Sequence, residues 1–167
     1  MGREEQVRPP VGDVETPAAL EPLVARLQEL LQQLEALQHE LGPYFERLAA
    51  VDWQALAREG KLAGIPRLSI ERTLLDARQV LASGLRELAE ELRLVREGYP
   101  GVGRQRLDAA ARLRSVIRRY VDAPADIRTR HQRLVAWVAQ IDEALRQRGD
   151  TPLSAQLAAA EPDRPTS

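Results

Sequence analysis

Residues 127–145 read IRTRHQRLVAWVAQIDEAL, and their spacing decides the fold class. Ile127, His131, Leu134, Val138, Ile141 and Leu145 follow one another at intervals of 4, 3, 4, 3 and 4. A 3.5-residue repeat is the mark of a helix that lays a narrow stripe against another helix. His131 is the one polar member of the stripe. A polar seam residue sets register or bonds a neighbouring helix more often than it binds a ligand.

Working outward, the same pattern recurs. Leu20, Leu23, Leu27, Leu30, Leu34, Leu37 and Leu41 alternate by 3 and 4, and Val24 and Leu31 widen their stripe to one that suits a bundle. Thr16-Pro17 provides an N-cap and a first-turn proline, and Gly42-Pro43 is expected to end or sharply kink this helix. A short helix is predicted from Pro43 to Val51, and Asp52 caps another that carries Trp53 and Leu56. Tyr44, Phe45 and Trp53 most simply form a hydrophobic plug.

After breaks at Gly60, Gly64 and Pro66, a long helix is predicted from Ser69 to Glu97 on the stripe Ile70, Leu74, Ala77, Leu81, Leu85, Leu88, Leu92 and Val95. Gly84 interrupts it at a cost of roughly 1 kcal/mol relative to Ala, which points to a close helix crossing there. Residues 98–103 form a loop with a type II turn at Pro100-Gly101. A helix from about Arg104 to Val121 is apolar over more than half its circumference, so it touches more than one neighbour; Arg114 within that arc is expected at the rim, with its charge in water. Asp122 and Pro124 restart the chain as the 127–145 helix, and Gly149 stops it.

The expectation is an all-α chain, an elongated antiparallel helical bundle or set of coiled-coil-like hairpins with short helices at one end. Helices of ~25 residues span about 37 Å. Residues 1–15 are polar and expected to be disordered, 16–149 form the bundle, 150–160 a short C-terminal helix, and 161–167 a disordered tail. With 167 residues, 44% hydrophobic and 29% charged, the composition is that of a globular domain with a real core. Aromatics are only 4%, so aliphatic side chains must fill it.

Composition also narrows the chemistry. The absence of Cys excludes disulfides, thiolate metal sites and Cys nucleophiles. The two His residues, His39 and His131, share no HExxH or paired Glu-x-x-His pattern, and no Walker loop or nucleophile elbow occurs. No catalytic, metal or cofactor residue is therefore expected. No apolar run reaches membrane-spanning length, and a cytoplasmic location is expected.

Charge is unevenly spread. Residues 1–50 carry a net −5 and residues 104–133 a net +6, nine Arg against three Asp. Arg104, Arg112 and Arg119 line one helix face, and Arg118, Arg128, Arg130 and Arg133 extend the basic segment. Such a segment meets either an anionic partner or the acidic first helix, within the chain or across a dimer. No aromatic residues interleave with it to stack bases. Separately, the string LAGIPRLSIERTL at 62–74 loosely resembles the turn and recognition helix of helix-turn-helix proteins, with Gly64 at the turn. The resemblance covers about fifteen residues, and implies that Arg67, Ser69 and Arg72 face a DNA major groove. The helix before this turn would be short and the one after it unusually long. The leading expectation is a non-enzymatic scaffold, adaptor or structural subunit that binds protein partners and forms homo-oligomers, a dimer first. A DNA-binding regulator using 60–74 or the Arg-rich segment is the alternative.

Overall fold

The computed structural model describes residues 17–99 and 108–159, and all regular structure among them is helical. The six helices are α1 (Pro17–Ala49), α2 (Trp53–Arg58), α3 (Arg67–Arg96), α4 (Ala109–Tyr120), α5 (Ala123–Gln147) and α6 (Leu153–Ala159). The fold is all-α, as the stripes predict. No helix among the described residues is long and apolar enough to cross a membrane.

The expected end or kink at Gly42-Pro43 is corrected in one respect: α1 does not end there, and the turns assigned to a separate helix over 43–51 are its last ones. Pro43 removes one helical hydrogen bond and crowds the carbonyl of His39. Phe45 and Leu48, 1% and 0% exposed, continue the buried stripe past it and offset that cost. Thr16, the expected cap, lies outside the described residues, as do the Pro100-Gly101 turn, residues 1–15 and the 161–167 tail.

The other boundaries follow local chemistry. Asp52 caps α2 by accepting from the amide of Ala55 at 2.9 Å, and the Trp53 indole donates to the Leu48 carbonyl at 2.9 Å. α4 begins at Ala109 rather than near Arg104, because the Asp108 carboxylate accepts from the Ala111 amide at 3.0 Å and fixes the start. α3 and α5 close alike: Gly98 and Gly149 take positive φ, and the amides of Tyr99 and Asp150 reach back 2.8 Å to the carbonyls of Leu94 and Leu145. The short last helix is held by Leu153 and Leu157 and by Asp142, a buried acid that accepts from the Ser154 amide at 3.0 Å.

The chain divides into two compact units. One combines Met1–Ala36 with Ala82–Pro124. In it the N-terminal half of α1 and the C-terminal half of α3 run antiparallel, with Leu27, Leu30, Leu34, Leu88, Leu113 and Tyr120 in the core. The close crossing expected at Gly84 is there: a Cβ on Gly84 would overlap the Leu34 methyl and touch the Tyr120 ring. The other unit combines Leu37–Leu81 with Ala125–Ser167. Its core takes Leu41, Phe45, Leu48, Ile70, Ile127, Leu134 and Ile141. Every apolar member of the 127–145 stripe is buried.

Candidate functional site

The basic segment resolves into two sets of arginines, one in each unit. In the first, Arg112 and Arg119 lie seven residues apart on α4 and face Glu91 and Glu87, four apart on antiparallel α3. Arg112 donates from Nε to Glu91 at 2.6 Å, and Arg119 from Nη1 to Glu87 at 2.8 Å. Both acids come from α3, so among the described residues these two α4 arginines pair with α3, while Arg128 of the same basic segment meets Glu40 of acidic α1. Arg114 is exposed, as expected at the rim.

Glu91 is the centre of this set. Its carboxylate, 6% exposed, also accepts from the Tyr99 hydroxyl at 2.7 Å. The Arg112 guanidinium stands 5.0 Å from the centre of the Tyr99 ring. Burial and the bond to Glu91 push the Tyr99 hydroxyl well above its ordinary range, and the same carboxylate holds Arg112 protonated. Tyr99 adopts positive φ, a conformation that L residues seldom take. Its buried ring and its bond to Glu91 hold it there. A hydrogen bond from the Tyr120 hydroxyl has the largest effect on Glu87 and lowers its pKa; burial opposes it, and the bond and charge of Arg119 add to the lowering.

In the second unit, Arg128 reaches Glu40 at 3.2 Å, and Arg130 bridges Asp126 at 2.9 Å and Asp76 at 3.3 Å. Arg118 and Arg133 are exposed and form no ion pair among the described residues. Arg104 lies outside the described residues. Four of the seven arginines named in the basic segment, Arg112 and Arg119 in one unit and Arg128 and Arg130 in the other, therefore direct their charge at carboxylates of the chain itself. His131 packs edge-on against Tyr44 and Phe45, with ring centroids 5.3 and 6.1 Å away. Desolvation lowers its pKa, opposed by Glu40 and aided by Arg128.

The helix-turn-helix resemblance meets a different backbone. Gly64 does turn the chain, at φ +79°. However, the eight residues 59–66 separate α2 from α3, where the motif has a turn of three or four. Arg67 sits 3.6 Å from Glu71 on its own helix, Ser69 is half-buried, and Arg72 is exposed.

Sequence reading missed Tyr99, Glu91 and Asp142 as organising residues. The two acids share one signal. Glu91 follows Leu88 by three and precedes Val95 by four, and Asp142 stands in the same relation to Ala139 while following Val138 by four and preceding Leu145 by three. Each is a carboxylate inside an apolar arc, which demands a donor from another segment. Among the described residues, no group of three or more His, Cys, Asp or Glu is placed to hold a metal ion. No family model, curated protein or solved structure is significantly similar to this chain.

Proposed function

We propose that this protein is a non-enzymatic helical scaffold or adaptor, or a structural subunit of a larger assembly, that works by docking helix faces against partner helices. The observation that carries this reading is the internal use of charge. Arg112, Arg119, Arg128 and Arg130 are each directed at a carboxylate of the same chain within 3.3 Å. Among its charged outward positions α3 also presents two large apolar side chains: Leu68 and Leu75 are 68% and 45% exposed. Large apolar side chains clustered on one helix face mark contact surfaces for other proteins. Self-association, with a dimer as the first state, fits the reading. A cytoplasmic setting is consistent with it.

Titration of labelled duplex DNA and single-stranded RNA tests this against the alternative. No binding at about 50 mM salt is expected if the carboxylates facing Arg112, Arg119, Arg128 and Arg130 take the place of phosphates. Binding that falls steeply between about 50 and 200 mM salt would favour the DNA-binding reading instead. Arg72 would then be the first residue to replace.

A further inference from the structure

Leu68, Glu71, Arg72 and Leu75 stand at positions i, i+3, i+4 and i+7 of α3. Residues three, four and seven apart are neighbours on one face of a helix. With Ser69 these four line one shallow surface depression. Leu68 and Leu75 supply its apolar ends, and both are far more exposed than the leucines that fill the two cores.

The charges identify the partner. At about 100° per residue, Leu68 and Leu75 project within about 20° of each other. Glu71 then lies about 50° to one side of their midline and Arg72 about 50° to the other. Arg72 forms no ion pair among the described residues, and Glu71 has only Arg67, at 3.6 Å. A uniformly acidic or uniformly basic partner would meet a like charge on one flank. A second copy running in the same direction meets neither: a two-fold axis along the helices brings the Glu71 flank of each copy against the Arg72 flank of the other. In an antiparallel pair, like flanks would meet.

We infer that residues 68–75 of α3 form a self-association surface, on which a second copy of this chain docks with its α3 parallel and in register. This rests on the helix-docking function proposed above and supplies its first partner. In register, Leu68 meets Leu68 and Leu75 meets Leu75, and two Glu71–Arg72 pairs flank them.

The chain contains no Cys, so single cysteines report the geometry directly. Leu68→Cys and Leu75→Cys chains, oxidised separately at micromolar concentration, are expected to form disulfide-linked dimers. Val135→Cys, on an exposed α5 position, is the control expected to remain monomeric on denaturing gels. Helix content and urea midpoint of each variant, compared with the parent, confirm folding. Glu71→Arg should weaken the dimer about tenfold or more, and adding Arg72→Glu should restore it. Cross-linking only in a mixture of the two leucine variants would mean antiparallel pairing and overturn the proposal. A dimer of the parent chain with neither cysteine cross-linking would overturn this surface while leaving the helix-docking function standing. A monomer at every concentration would overturn the second copy as the partner.

Discussion

Gly84 of α3 lies against the side chain of Leu34 of α1 so closely that no Cβ fits between them. Ala is the better helix former by about 1 kcal/mol, so Gly84→Ala would stabilise an exposed helix. Here Leu34 is 0% exposed and has nowhere to move. Overpacking of about 1–3 kcal/mol outweighs the propensity gain, and a net loss of up to about 2 kcal/mol in urea unfolding is expected. Leu34→Ala should remove most of the penalty in a double-mutant cycle. Additive effects would show that the two residues do not touch.

Glu91 tests a buried carboxylate with two donors. Glu91→Ala strands the Tyr99 hydroxyl and releases Arg112, and should cost about 2–3 kcal/mol of unfolding free energy. Arg118→Ala, on an exposed side chain of the same segment, should stay within about 0.5 kcal/mol. Equal effects at Glu91 and Arg118 would contradict the reading of Glu91 as a buried carboxylate with two donors and of Arg118 as an exposed side chain.

Pro43 offers a gain. It is exposed and interior to α1, where it withholds a hydrogen bond from the His39 carbonyl. Pro43→Ala should raise stability by about 1–3 kcal/mol and leave the helix content unchanged or slightly higher. A loss would mean that the proline ring packs favourably where it stands.

His131 makes stability depend on pH. Its folded pKa is lowered, chiefly by burial, so the fold prefers the neutral ring. The associated stability is fully present above the unfolded value of about 6.5 and is lost as pH falls through the folded value. Glu87, with a lowered pKa of its own, loses its contribution only below the ordinary glutamate range. Thermal unfolding between pH 7.5 and 5 should therefore fall for the parent and stay nearly flat for His131→Gln. Parallel curves would assign the slope to another group.

The stripes were legible because burial follows periodicity: the apolar positions of 127–145 and most of the leucines of 20–41 are core. Helix continuity at Pro43 was not legible, since a local breaker lost to the burial of Phe45 and Leu48, a tertiary effect. The face shared by Arg112 and Arg119 could be read from their spacing, but not which helix lies opposite. Charge totals pointed to α1, which supplies Glu40 to Arg128, whereas Glu87 and Glu91 on α3 face the two α4 arginines. Tyr99 follows a helix-ending glycine and carried no periodic signal at all.

Light scattering of the parent chain from about 1 to 500 micromolar, a range that covers micromolar dissociation constants, tests the central claim most directly. A helix-docking protein whose α3 presents Leu68 and Leu75 should pass from monomer to dimer over that range, and Leu75→Gln should move the transition up by about tenfold or more. A mass that remains monomeric throughout, together with salt-sensitive nucleic-acid binding, would contradict it.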